Sequence, residues 1–338
     1  MARPGPPRSR EFVCTERLVM DEAELRRRWI SQIAPDVFAD AFHVREPVTI
    51  FLGGQPGAGK TASQGHVVRQ VSGVVPIVGD DLRQYHPDYQ RLVNDDPLRM
   101  PLVTASASAA WIKMSVDHAN ANGISSLIEG TWRMASTVLD EAQHAGALGR
   151  HTHAIVVAVP PALSRLGILN RYYTDRARGL PARWTPISAH DVTVANLPGV
   201  VREIVASDVV DQFTVMDRGG HILWTGSPSG AGSEVFATEF YRELSAREVC
   251  QYRGQVEAVE RAYLVVNDCN TEAKDLLESV KGSFGLLDLC ASETQRASAF
   301  RSTFGPASIQ HSTHEATAST PKQLRARRRD PGQGSRSR

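Results

Sequence analysis

Gly54-Gln55-Pro56-Gly57-Ala58-Gly59-Lys60-Thr61 satisfies the pattern G-x-x-x-x-G-K-[ST] in full. In such a loop the glycines let the backbone curl until several N–H groups point inward at a phosphate. The following helix adds the partial positive charge of its N-terminus. Lys60 is placed to reach the β- and γ-phosphates, and the Thr61 hydroxyl to ligate Mg²⁺. The motif therefore predicts binding of ATP or GTP with Mg²⁺, and leaves open what receives the terminal phosphate.

Three further groups bear on the acceptor. Asp80, in Gly79-Asp-Asp-Leu-Arg-Gln-Tyr-His-Pro87, is a carboxylate able to orient an acceptor hydroxyl and take its proton. The alternative is a helix-capping Asp, a job that Asp81 could take instead. Glu129-Gly-Thr131-Trp-Arg133 gathers a carboxylate, a hydroxyl and a guanidinium suited to a polar, hydroxylated substrate, or else is a turn with Thr131 as helix cap. Between Arg171 and Arg183 lie four arginines, and guanidinium donors stabilise the charge that spreads over a transferring phosphoryl group. Arg176 and Arg178 read as ordinary surface residues, whereas the family pattern below singles out Arg171 and Arg183.

The elements that must position these groups follow from hydropathy. Val48–Leu52 is a short apolar run that predicts a buried strand ending at Gly53-Gly54, with a helix over 61–71 behind the loop. Strands are predicted at 74–78, 125–128 and 154–159, with helices at 106–120, 137–147 and 162–177 between and after them. Pro76 is awkward in a central strand. A closing hairpin is predicted from 213–216 and 222–224 with Gly219-Gly220 at its turn. Before the first strand, Leu25, Trp29, Ile33 and Val37 share one helical face. Strands alternating with helices give an α/β fold, a mostly parallel sheet with helices on both faces. In such sheets ligands bind beyond the carboxyl ends of the strands, where Gly53–Thr61, Asp80 and Glu129 fall. The stretch 227–233 reads as a Gly/Ser/Pro linker, followed by helices near 234–263 and 271–280.

The segments, in order, resemble the zeta toxins of bacterial toxin–antitoxin systems. The likeness rests on residues 54–61 and 79–87, Ile-Glu-Gly-Thr-Trp-Arg (128–133) and Val-Ala-Val-Pro (157–160). It continues through Asn-Arg-Tyr-Tyr (170–173), Ala-Arg-Trp-Thr-Pro (182–186), Ala-His-Asp (189–191) and Asn-Leu-Pro (196–198), and covers about residues 25–225. It implies an adenylate-kinase-like P-loop NTPase fold. It also implies ATP-dependent phosphorylation of the sugar 3′-hydroxyl of UDP-N-acetylglucosamine, and a protein antitoxin as partner. Residue by residue it makes Lys60 and Thr61 the nucleotide and metal positions and Asp80 the catalytic base. Glu129 and Thr131 become the sugar-binding turn, and Arg171 and Arg183 the phosphate-contacting arginines; Arg133, beside that turn, is read from its own chemistry as a further acceptor-positioning group. The chain departs from the family at Asp81 and Leu82, at Lys113, where an ungapped count expects a pocket Glu, and at Trp132, which is bulkier than in some members. The same residues would serve a P-loop kinase of another hydroxylated molecule (nucleotide, dinucleotide or antibiotic), or an ATPase switch in which Asp80 positions water.

Composition narrows the remaining classes. Lys+Arg is 38 and Asp+Glu 37, so the net charge of +1 does not suggest a nucleic-acid binder. Residues 321–338 carry seven basic residues and one Asp, which leaves residues 1–320 mildly acidic. No run approaches the roughly 20 apolar residues of a membrane span, and the N-terminus lacks a signal-peptide core. Cys14, Cys250, Cys269 and Cys290 form no zinc-ligand pattern and read as buried thiols in a reducing compartment. The sequence thus predicts a cytoplasmic protein with a disordered N-terminus (1–20), a kinase domain (21–226), a mainly helical extension (227–305) and a disordered basic tail (306–338).

Overall fold

The computed structural model describes residues 20–180, 182–266 and 270–285. All lie in the first of the chain's two compact units, Met1–Leu289. The expected disorder of residues 1–19 and 306–338 falls outside the described residues.

Six strands form one sheet in the order β2-β3-β1-β4-β5-β6. They are β1 (Val48–Gly53), β2 (Val75–Val78), β3 (Ser126–Glu129), β4 (His151–Val157), β5 (Gln212–Met216) and β6 (Ile222–Gly226). All neighbours are parallel except β5 and β6, the hairpin around Gly219-Gly220. The continuous apolar run of β1 suits its central place, covered on both faces. Pro76 is explained by position, because β2 is an edge strand with a ladder on one side only.

Alternation along the central strands divides the core. Ile50 and Leu52 of β1 join Ile155 and Val157 of β4 on one face, under Leu163, Leu166, Leu169, Tyr172 and Tyr173 of the helix Pro161–Ala177. Phe51, Ala154 and Val156 turn to the other face, beneath the helices Ser136–Ala147, Ile187–Ala206 and Gly230–Tyr241. The N-terminal helical stretch packs Ile33, with Leu25, Trp29 and Val37, against Leu82 and Trp111.

Several boundaries differ from expectation. β4 begins at His151 and ends at Val157, earlier than the predicted 154–159. The stretch 227–233 is not a linker throughout, since the helix Gly230–Tyr241 starts inside it. Gly232 is buried there, and a Cβ on it would press on the Trp224 ring, so this glycine serves close helix-to-sheet packing. The single helix expected near 234–263 is two, Gly230–Tyr241 and Ala246–Val266, and Thr271–Ser283 follows. The twenty-residue helix Ile187–Ala206 has no counterpart in the sequence reading. It carries Pro198 in its interior, a cost of about 3 kcal/mol, against which it buries Leu197, Val200, Val201 and Ile204.

Register brings the site together. Leu52 is aligned with Glu129, and Glu129 with Val78. Gly130 N–H donates to Leu52 O at 2.9 Å, extending the β1–β3 ladder by one residue. The segments that follow β1, β3 and β2 therefore leave the sheet at one common edge.

Candidate active site

The loop after β1 takes the conformation its glycines permit. Gly59 has φ +92°, left-handed backbone, and hands the chain to the helix Lys60–Gln70. Gly57, with φ +77°, lies against Ser164 O and Ile168, where no side chain fits. Lys60 Nζ donates to Gly54 O at 3.0 Å and Gln55 O at 3.4 Å, and stands 3.7 Å from Glu129 Oε1. Burial lowers the Lys60 pKa; Glu129 raises it in turn, and Arg171 and Arg183 lower it further. Thr61 is exposed in the first helical turn, its hydroxyl open to solvent. Pro56 and Ala58 complete the turn, with Ala58 in the core beneath it. Gln55 serves the scaffold with its side chain, donating to Val159 O at 2.7 Å and Ser164 Oγ at 3.4 Å.

Asp80 lies in the first turn of the helix Gly79–Leu82, whose N-cap is Val78, so neither Asp80 nor Asp81 is the cap. Its Oδ1 is held by the Arg183 guanidinium and by Arg83 Nε at 3.3 Å. It is therefore not the solitary carboxylate that the sequence suggests. Arg83 is fixed in turn by Pro101 O at 2.8 Å and Thr104 Oγ1 at 2.6 Å. Burial lowers the pKa of Arg183 to about 10, still a cation at neutral pH. Arg171 Nη2 donates to Thr185 Oγ1 at 2.8 Å, and its charge is felt by both Lys60 and Glu129. Lys60, Glu129, Arg171, Arg183 and Asp80 thus form one electrostatic cluster at the sheet edge. Arg176 donates instead to Tyr172 Oη at 2.7 Å, and Arg178 is exposed at the helix end.

In the turn after β3, Thr131 is half-buried, and it is no helix cap because the next helix begins at Ser136. Trp132 adopts φ +52° and is buried over Gly53, where a Cβ would fall inside the indole. Its bulk goes into the core with Phe51 and Val138. Arg133 is exposed and points to no partner in the Lys60 cluster; it lines an open cleft with Ser136, Asn196, Arg202 and Tyr241. Lys113 pairs with Asp117 at 2.8 Å on the solvent side of the helix Ala105–Ala121. Ser108 and Ile112 are the residues of that helix that meet Gly79, so the Lys113 charge lies off the face turned to the site.

Residues 36–227, more than half of the chain, match the zeta toxin family profile. The chain belongs to the zeta toxin family. Toxin zeta of Enterococcus hirae is 30% identical to it over 210 residues, 61% of this chain and 73% of that protein. Toxin PezT of Streptococcus pneumoniae serotype 4 is 28% identical over 178 residues, 52% of this chain and 70% of that protein. In fold it is similar to a solved structure from the PezAT chromosomal toxin–antitoxin system of Streptococcus pneumoniae. The TM-score is 0.63 at 22% identity, over 74% of this chain and 99% of that one. The zeta toxin fold here is kinase-like, a P-loop nucleotide-binding sheet with added C-terminal helices.

Other residues around the zeta toxin loop escape the motif. Arg218, in the β5–β6 turn, donates to Gly57 O at 2.6 Å. It comes 161 residues later in the chain, and no local pattern points to it. Behind the loop, Ser164 Oγ is 2.8 Å from His190 Nε2, and His190 Nδ1 is 2.8 Å from Asp191 Oδ1. His190 and Ser164 are fully buried, and burial lowers the His190 pKa. Asp191 is exposed, but Ser164 and His190 are shut off from solvent and brace Gln55, so this Ser-His-Asp chain is scaffold despite its likeness to a nucleophile relay. Among the described residues no three His, Cys, Asp or Glu side chains gather to hold a metal, and no helix is long and apolar enough to cross a membrane. Cys250, the only cysteine among them, is exposed, contrary to the expected buried thiol.

Proposed function

We propose that this zeta toxin is an ATP-dependent kinase that phosphorylates the sugar 3′-hydroxyl of UDP-N-acetylglucosamine. The observation that carries the reading is the convergence of Lys60, Glu129, Arg171, Arg183 and Asp80 at one sheet edge. Residues 54–61 hold the nucleotide phosphates through backbone N–H groups and Lys60. Mg²⁺ with ATP is bound through few protein oxygens and neutralises phosphate charge; the exposed Thr61 hydroxyl fits that demand. Glu129 and Thr131 bind the acceptor sugar, with Arg133 at the outer rim.

The acceptor oxygen attacks the γ-phosphorus, the bond from phosphorus to the β–γ bridging oxygen breaks, and the hydroxyl proton passes to Asp80. Both arginines hold Oδ1 of Asp80. Oδ1 therefore fixes the carboxylate and Oδ2 takes the proton. A strong base is not required, because the transition state is loose and positioning dominates. Arg171 and Arg183 neutralise the charge on the transferring group.

Lys113 and Trp132, the two departures from the family pattern, are directed away from the cluster and into the core respectively. That supports the family's acceptor over another hydroxylated molecule. The kinase domain spans residues 21–226, acts in the cytoplasm, and is held in check by a protein antitoxin. The test is mass spectrometry or phosphorus NMR of the products of UDP-N-acetylglucosamine with Mg·ATP, with a panel of nucleotides and antibiotics alongside. A phosphorylated sugar nucleotide supports the reading. A product formed only from an unrelated acceptor, or acceptor-independent ATP hydrolysis, overturns it.

A further inference from the structure

The family match ends at residue 227, yet later helices pack against elements that carry the catalytic cluster. Ala246–Val266 and Thr271–Ser283 pack on the helix Pro161–Ala177, with Val256, Val259, Leu276 and Leu277 in the same core as Tyr172, Tyr173 and Trp184. From the first turn of the helix Thr271–Ser283, Glu272 makes two hydrogen bonds, one with each oxygen. Oε2 accepts from Trp184 Nε1 at 2.7 Å, and Oε1 accepts from Ile187 N at 2.8 Å.

Those two donors lie in the segment that carries Arg183 and Thr185. Arg183, which holds Asp80, immediately precedes Trp184. Thr185, which receives Arg171, lies between Trp184 and Ile187. Trp184 is 2% exposed and packed edge-on against Tyr172, so its indole cannot swing. Ile187 N–H is an orphan donor at the start of the helix Ile187–Ala206. A carboxylate is suited to this place because it offers two acceptors to two converging N–H groups. Among the described residues Glu272 has no Lys or Arg partner, so its hydrogen bonds serve geometry and not charge pairing. The same extension also places Tyr252 beside Arg218, whose charge it favours and which donates to Gly57 O of the phosphate loop.

We propose that Glu272 is a positioning residue for phosphoryl transfer, a two-point clamp by which the C-terminal helices fix the segment carrying Arg183 and Thr185. This rests on the kinase reading above. A displacement of about 1 Å in a transition-state donor costs on the order of 100-fold in rate, and the clamp guards against that displacement.

The test is steady-state transfer by the full-length chain with Glu272→Gln, Arg183→Ala and the double variant. Gln keeps the shape, retains one acceptor and turns an NH₂ against the second N–H. Glu272→Gln is expected to lower kcat roughly 10- to 100-fold, with KM for ATP within about twofold of wild type. If Glu272 acts through Arg183, the double variant is no slower than Arg183→Ala alone. Should Glu272→Gln fail to fold, Trp184→Phe, which removes only the Nε1–H donor and its ring, carries the test and is expected to lose about tenfold in kcat. Full turnover in the variant that folds, or losses that multiply in the double variant, overturn the clamp while leaving the kinase reading in place. A wild-type chain that transfers phosphate to no acceptor overturns the kinase reading, and the clamp with it.

Discussion

Arg183 grips Asp80 through Oδ1, and Arg83 holds the same oxygen from three residues further along the chain. The two arginines reach it from different parts of the fold. Arg83 is anchored on Pro101 and Thr104, beyond β2. Arg183 comes from the segment beyond the helix Pro161–Ala177, on the other side of the phosphate loop. Asp80 is thereby tied to two separate parts of the fold, and its orientation is set by charge-assisted bonds that are individually stronger than neutral ones. Oδ1 is held by two guanidinium groups, which suits a carboxylate whose task is to aim a hydroxyl.

Asp80→Asn keeps the shape and one carbonyl acceptor but cannot receive the proton. Transfer to UDP-N-acetylglucosamine is expected to fall by roughly 10²- to 10⁴-fold, the usual contribution of a general base. ATP affinity by calorimetry should stay near wild type, since Lys60 and the loop glycines are untouched. Wild-type turnover in this variant would remove Asp80 from the chemistry.

Arg183→Lys separates charge from shape. Lysine keeps the positive charge but loses the planar fork that holds a carboxylate and a phosphoryl group at once. A loss of about 10²- to 10³-fold in kcat is expected, typical of removing a preorganised donor. Arg171→Lys should cost less, because Arg171 meets a neutral hydroxyl, Thr185, and not Asp80. Equal losses in single-turnover measurements would contradict this ranking.

Much of this arrangement was legible from residue order. The phosphate loop, Asp80 and Glu129 each follow an apolar run, and three parallel strands in register bring such ends together. Arg171 and Arg183 were reachable only through the family pattern, since nothing local distinguishes them from Arg176. Arg83 carried a faint signal, a cation at i+3 from Asp80. Arg218 and Glu272 carried none, because contacts made across the whole fold leave no local periodicity. The helix Ile187–Ala206 was hidden by Pro198, where burial of its apolar face overrides local propensity. The glycines of 227–233 suggested a flexible joint, whereas Gly232 provides room for Trp224.

Gly53→Ala tests the support beneath the acceptor turn. Its methyl would enter the Trp132 indole, which is held at φ +52° and has little freedom to yield. Overpacking of this kind costs about 1–3 kcal/mol, so the urea midpoint should fall with the m-value unchanged. Trp132→Ala alone leaves a void and costs about 3–5 kcal/mol. The double variant Gly53→Ala/Trp132→Ala should be no less stable than Trp132→Ala, because the added methyl then enters empty space. Additive losses would mean that Gly53 and Trp132 do not meet in this way.

Stability should also depend on pH through His153 of β4. Burial, with a smaller push from His151, lowers its pKa to about 4, and its Nε2 lies 2.9 Å from Thr214 Oγ1. In the unfolded chain a histidine titrates near 6.5. Between about pH 6.5 and 4 the unfolded state therefore binds a proton that the native state refuses, and stability falls as pH falls through that window. The full effect is about 3 kcal/mol and is absent above pH 7. His190, also lowered by burial, contributes in the same direction. The lowered carboxylates Asp211 and Glu248 lose their contributions only at more acidic pH. His153→Gln keeps a partner for Thr214 and removes the titration. Urea unfolding of the wild type and this variant from pH 7.5 to 4.5 should give curves that approach or cross as pH drops, with the variant losing less stability. Parallel curves would show that His153 takes up its proton in the folded protein as readily as in the unfolded chain.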